Sequence, residues 1–349
     1  MIRGSISITI LGALVMVIFL LLATKDQGIN GFISSPKKDW IKISGSQIDD
    51  SPSYIDLFFF DHDIGVALTV ASVKTTYDGG NTWETSHNFL NRAMFAFVNS
   101  DHGLWAVGKQ FDDGAKSVPV LMHSLDRGLT WEVVAPSSKS RQKLGKRFSV
   151  FTGICFDVNG YLWLVGDGGI VKATVTNDKM DVLEVFERKE QLTKLFRGNS
   201  PEMWAAGPNG IVASFRSGKW EYQNLGENRG ITKILIRENS VWLIGTEISR
   251  VIDKRKPVIK GILLRSYDGK TWEDKSPLNA HGLVDGYFDG NRGWVVGLGG
   301  SIYSTIDDGN AWVSEQSPTA DNLFVVTFQD TNNGWIGGSN SVVLRYQEK

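Results

Sequence analysis

Two short patterns recur along this chain, and between them they leave few folds open to it. The first is Ser/Thr-x-Asp-x-Gly-x-Thr-Trp, seen as "TTYDGGNTWE" (75–84), "HSLDRGLTWE" (123–132), "RSYDGKTWED" (265–274) and "YSTIDDGNAW" (303–312). The third copy is one residue short between Asp268 and Thr271, and the fourth has Ala311 in place of Thr. The second pattern is an apolar run around a tryptophan: "GLWAVG" (103–108), "YLWLVG" (161–166), "EMWAAG" (202–207), "SVWLIG" (240–245), "RGWVVG" (292–297) and "NGWIGG" (333–338). "IGVALT" (64–69) holds the same place with Val66 for tryptophan, making a seventh. Self-similarity at a loose period marks a repeat architecture.

Each apolar run is preceded by a β-rich run, such as "LFFF" (57–60), "FAFV" (95–98) or "FVVTF" (324–328), and followed by a third, such as "GSIYST" (300–305). The Asp/Gly segment then turns the chain into a fourth strand. Asp bonds turn amides through its side chain and Gly supplies positive φ. Four antiparallel strands repeated seven times predict an all-β, seven-bladed propeller. Asp78, Gly80, Trp83, Asp126, Gly128, Trp131, Asp268, Trp272, Asp307, Gly309 and Trp312 are read as structural turn residues, the tryptophans packing on a neighbouring blade.

The twelve tryptophans test this count. Trp105, Trp163, Trp204, Trp242, Trp294 and Trp335 fall in second strands; Trp40, Trp83, Trp131, Trp220, Trp272 and Trp312 begin fourth strands. Trp40 lies ahead of the first repeat, and the last repeat has no fourth strand of its own. Residues 39–44 are therefore expected beside 342–347, closing the ring and removing its open edge. In blade 3 "TNDKMDVLEVF" replaces the Asp segment, so its outer strand lacks a tryptophan.

Of 349 residues, 38 are Gly and only 9 Pro, as suits a turn-rich β protein. The net charge of −1 opposes bulk binding to nucleic acid. The single cysteine, Cys155, precludes an intramolecular disulfide and is read as a small buried hydrophobe. No metal and no cofactor is expected: His62, His87, His102, His123 and His281 show no ligand spacing, and "IDDGN" (306–310) offers too few carboxylates for calcium.

Residues 4–24 carry no charge, the length that crosses a bilayer as one helix. Leu21 stands where cleavage after Ala23 would need a small residue, so an uncleaved anchor is preferred to a cleaved signal. The expected organisation is an anchor over 1–24, a linker over 25–38 and the propeller over 39–349. Either N-terminal reading exports the propeller to the periplasm, a lumen or the cell surface.

Three insertions fall on the face away from the Asp segments: 109–119, the blade 2 to blade 3 crossover at 136–148, and the hairpin 246–261. The last two are basic, with Lys139, Arg141, Lys143, Lys146 and Arg147, then Arg250, Lys254, Arg255, Lys256 and Lys260. Loops on a rigid scaffold commonly carry binding function. These ten side chains are the candidate surface for an acidic protein partner or for anionic lipid headgroups, the protein reading being preferred.

The Ser-x-Asp-x-Gly-x-Thr-Trp element is the Asp box, or bacterial neuraminidase repeat. "GWVVGLGGSIYSTIDDGNAW" (293–312) resembles the repeat of the photosystem II stability and assembly factor family, and the resemblance runs over residues 39–349. It implies an exported, non-enzymatic, chaperone-like propeller that binds membrane proteins through a largely arginine patch. The matching third-strand positions here are Lys74, His123, Lys172, Ala213, Arg265, Tyr303 and Arg345, so the implied patch is partial. The alternative is a glycan-binding or sialidase-like propeller. The sialidase Arg-Ile-Pro segment is absent before the first repeat, and the inner-strand acids, such as Asp285, read as strand-end loop residues without a partner for glycoside chemistry.

Overall fold

Short apolar runs form the predicted second strands, and burial follows them into the spaces between blades. The computed structural model describes residues 38–44, 52–111, 116–188, 191–198, 202–249 and 257–348. Trp40–Gln347 forms one compact unit; of the other, Met1–Asp39 with Glu348–Lys349, the described residues all lie in strands. Residues 4–24 lie outside the described ones, among which no helix is long and apolar enough to cross a membrane.

Seven antiparallel sheets follow one another along the chain, each ordered inner, second, third, outer. Lys38–Ser44 takes the outer place beside Val343–Glu348, so the ring closes as the position of Trp40 predicts. The inner strands, from Asp56–Phe59 in blade 1 to Leu323–Asp330 in blade 7, each touch the next around the centre. In blades 2, 5 and 6 the outer strands shrink to Glu132–Val133, Glu273–Asp274 and Val313–Ser314, with the Asp-box tryptophan just ahead of each.

The tryptophans pack between blades. Trp312 stands edge-on to Trp242 at 6.5 Å, and Trp272 to Trp204 at 6.1 Å. Trp220 meets Trp163 at 6.0 Å, Trp40 shares a core with Trp294, Trp83 with Trp335, and Trp131 with Val66. Each fourth-strand tryptophan thus covers the second-strand residue of the preceding blade.

Trp105 has no such cover, because blade 3 lacks the tryptophan. The crossover at 136–148, read from sequence as a loop, supplies the substitute. Ser138–Leu144 forms an α-helix, capped by Ser137, whose Leu144 joins Phe148, Met180 and Val182 in the core around Trp105. The Ser140 hydroxyl accepts from the Val182 amide at 2.8 Å. Blade 3 also gains a fifth strand, Ala135–Pro136, paired in parallel with its outer strand. A seven-residue helix between two β blades escapes a search for strand alternation.

Candidate functional site: cation-capped tryptophans around the channel mouth

Each Asp box is a closed hydrogen-bond unit. In blade 2 the Ser124 hydroxyl donates to Asp126 at 2.9 Å and accepts from the Gly128 amide at 2.8 Å; Thr130 donates its amide at 2.8 Å and its hydroxyl at 2.6 Å to the same carboxylate. Trp131 Nε1 donates to the Gly128 carbonyl. Asp78, Asp268 and Asp307 repeat the pattern, Asp307 without the hydroxyl that Ala311 lacks. Burial opposes it, yet the bonds from Thr130 hold the Asp126 carboxyl below the usual range; the Thr271 and Lys270 amides do the same for Asp268, and the Ala311 amide for Asp307.

These turns lie on the same face as the hairpins joining first to second strands. There, every second-strand tryptophan carries a basic side chain over its ring. The His123 ring stacks on Trp105 at 3.9 Å. Lys172 Nζ lies 5.3 Å from Trp163, Arg216 5.7 Å from Trp204, Arg265 5.4 Å from Trp242, Arg292 5.1 Å from Trp294 and Arg345 5.5 Å from Trp335. Cations on aromatic faces gain from the ring quadrupole while staying available to a second partner.

Four residues of the sequence-derived patch, His123, Lys172, Arg265 and Arg345, stand directly across the register from the blade tryptophan. Lys74 does not: it faces Ala67, one residue off the position opposite Val66, and its Nζ donates to Thr85 at 3.1 Å. Ala213 and Tyr303 are likewise one residue off, the register positions being Ser214 and Ser304. Arg216 and Arg292, which sequence reasoning missed, reach the rings of those blades from elsewhere. The readable sign for Arg292 was its place two residues before Trp294.

The ring is unequal in availability. Arg265 is buried and committed to Glu273 at 3.0 Å and to Asn310 of the next blade at 3.1 Å. Arg216 pairs with Glu202 at 3.1 Å. Lys172 and Arg345 form no ion pair among the described residues. At the centre of this face a cavity of about 700 Å³ opens, walled by inner-strand ends that bring Arg197, Arg237 and His102 to its lining.

Deeper in the channel, charges meet in the interior. Asp285 lies within the strand Leu283–Asp289, 5% exposed, not at a strand end as its sequence neighbourhood implied. A bulge between Leu283 and Asp285 turns it inward. Its carboxylate pairs with Lys233 at 2.8 Å and accepts from the Val326 amide at 2.9 Å, tying blades 5, 6 and 7. Burial raises Asp56 against the pull of Lys194 and Lys233; burial lowers Lys194; Lys233, against burial, is raised by Asp285. The acids here face lysines. Among the described residues no group of three His, Cys, Asp or Glu side chains could hold a metal ion.

The crossover 136–148, expected on the face away from the Asp boxes, instead runs along the outer edge of blade 3, its strand pairing with Lys179 and Met180 beside the third-to-fourth turn, and it uses much of its basic charge internally. Lys143 donates to the Val182 and Leu183 carbonyls at 2.8 and 2.9 Å, Arg141 to the Pro136 carbonyl at 3.1 Å, and Arg147 pairs with Glu187 at 2.7 Å. Lys139 and Lys146 are exposed, and Lys260 lies 3.7 Å from Asp274. Arg250, Lys254, Arg255 and Lys256 lie outside the described residues. Cys155 is buried, its thiol pushed up to about 12 by desolvation.

Residues 259–347 match the family model described as photosynthesis system II assembly factor YCF48. Over 199 residues the chain is 26% identical to the photosystem II assembly lipoprotein Ycf48 of a Picosynechococcus species, covering 54% of this chain and 53% of that protein. Over 70 residues it is 34% identical to the chloroplastic photosystem II stability/assembly factor HCF136 of Guillardia theta, 19% of this chain and 18% of that one. The matches thus span about half, or less, of these relatives' length. A solved structure of YCF48 bound to D1 peptide superposes with a TM-score of 0.64 at 20% identity, over 92% of this chain and all of that one, a likeness of fold.

Proposed function

We propose that this chain, similar over part of its length to photosystem II assembly factors, is an exported, membrane-anchored, non-catalytic factor that binds a membrane or envelope protein during assembly or stabilisation of its complex. The observation that carries this reading is the set of cations seated on tryptophans around an open cavity, with the nearby interior acids matched to lysines. Rigid aromatic seats keep Lys172 and Arg345 oriented at low entropic cost, as recognition of a carboxylate-rich polypeptide requires. The Ycf48 relative is named a lipoprotein; here no cysteine precedes Cys155, and the uncharged residues 4–24 supply the anchor in this reading. Lys139 and Lys146, on the crossover along blade 3, and the basic residues of 250–256 are proposed as further partner contacts.

The test is crosslinking of the full-length protein in its own membrane, then affinity capture and mass spectrometry. Two charge-reversed forms run in parallel: Lys172→Glu with Arg345→Glu, and Lys254→Glu with Arg255→Glu and Lys256→Glu. A specific membrane-protein partner lost in either form supports the role and identifies its face. Absence of any partner from the unaltered protein overturns the assembly reading and turns attention to glycan binding.

A further inference from the structure

Four blades carry an Asp box, and its turn presses on the preceding blade. A Cβ on Gly309 would stand 2.4 Å from Trp242, and one on Gly269 would stand 2.9 Å from Trp204. Trp335 Nε1 donates to the Gly79 carbonyl of the blade 1 box at 2.9 Å. Blade 4 has no box. Its third and outer strands join through Ser217 and Gly218, and a Cβ on Gly218 would meet nothing within 4 Å. The volume a box turn fills elsewhere is open here: a slot of about 490 Å³ lies over Trp163 and Lys172, rimmed by Val158 and Arg216. Asp157 and Val158 line both this slot and the cavity at the channel mouth.

The charges in the slot are unevenly committed. Asp157 accepts from Trp163 Nε1 at 2.9 Å and from the Asn159 and Tyr161 amides; Glu202 pairs with Arg216. Lys172 Nζ rests 4.2 Å from the Tyr161 ring and 5.3 Å from the Trp163 ring. It forms no ion pair among the described residues, its cross-strand neighbour Glu184 included. We infer that this slot takes an acidic turn from a partner polypeptide, its carboxylate against Lys172, in the space that an Asp-box turn occupies on the other blades.

The inference rests on the protein-binding reading above, and its test is independent of finding the natural partner. The probe is a capped heptapeptide copying the blade 1 turn, Thr-Tyr-Asp-Gly-Gly-Asn-Thr, with its Asp→Asn counterpart as control. Purified full-length protein carrying ¹⁵N-labelled tryptophan is titrated, following the Trp163 indole signal assigned with Trp163→Phe. The expected result is a saturable shift with the Asp peptide. Affinity should fall about tenfold or more, roughly 1.4 kcal/mol, with the Asn peptide or with Lys172→Glu, and hold within about threefold for Lys172→Arg. Grafting residues 126–130 in place of Ser217–Gly218 should close the slot and abolish binding while leaving the remaining indole signals in place.

No saturable shift, or equal binding by Lys172→Glu, overturns the inference. Equal binding of the Asn peptide overturns the carboxylate assignment and points to an uncharged occupant. Peptide binding without any membrane partner would sink the assembly reading and leave the slot standing; partner capture without peptide binding would do the reverse.

Discussion

At the residue scale the Asp box is governed by one carboxylate serving several donors. The native state holds these carboxyls below their unfolded value of about 3.9, so their contribution is complete above that pH and is lost as pH falls through the folded values. Denaturant midpoints measured from pH 7 downward should decline below about pH 4, and Asp126→Asn should flatten that limb. Ala311→Thr should supply the hydroxyl missing from the blade 6 box and raise the denaturation midpoint slightly. Glycines separate by what lies above them. Gly218→Ala, at φ +80° over open space, should cost about 1–2 kcal/mol in left-handed backbone strain. Gly309→Ala carries the same strain and also drives a methyl into Trp242, so thermal unfolding should place it clearly below Gly218→Ala. The turn function of Asp126, Gly128 and Trp131 was readable because their chemistry is local, completed within eight residues.

At the element scale, blade 3 shows how one lost motif is made good. The ring of Trp105 needs apolar cover, and a short helix plus an extra parallel strand provide it. Leu144→Ala should cost about 2–4 kcal/mol, checked by equilibrium denaturation, because it empties the interface where the helix replaces a missing tryptophan. Sequence reading found that blade 3 lacked its box and that the crossover was long and basic. It missed that Lys143 and Arg147 serve the crossover's own attachment, since their acceptors, the Val182 and Leu183 carbonyls and the Glu187 carboxylate, lie on the outer strand of blade 3, far along the chain. The patch register failed for a similar reason. Counting back from an Asp box cannot tell which third-strand residue faces the tryptophan; only the pairing of Thr75 with Val66 shows that Lys74 is displaced.

At the scale of the molecule, closure and the central charges decide cooperativity. Trp40, 4% exposed, packs edge-on to Phe328 at 5.7 Å and against Tyr346 at 5.1 Å, so the first strand of the propeller stabilises its last blade. Trp40→Ala should cost about 3–5 kcal/mol and, by opening the ring, broaden the unfolding transition seen by calorimetry. Lys233→Met leaves Asp285 buried without its cation and should cost about 3–5 kcal/mol, much of it recovered when Asp285→Asn is added, a coupling that a double-mutant cycle measures.

The sequence by itself determined the fold class, the number of blades, the closing strand and the chemistry of the turns. Those depend on recurring apolar runs, on turn motifs completed within one repeat, and on a count of repeats and tryptophans that leaves Trp40 to complete the last blade. The tertiary structure alone decided which cations sit over which rings, that Asp285 points inward to Lys233, and that the missing box of blade 4 leaves a slot above Trp163. Each of these brings together residues from different strands or blades, at separations no local pattern records, and their energies arise only when the ring has closed and water has been excluded between neighbours.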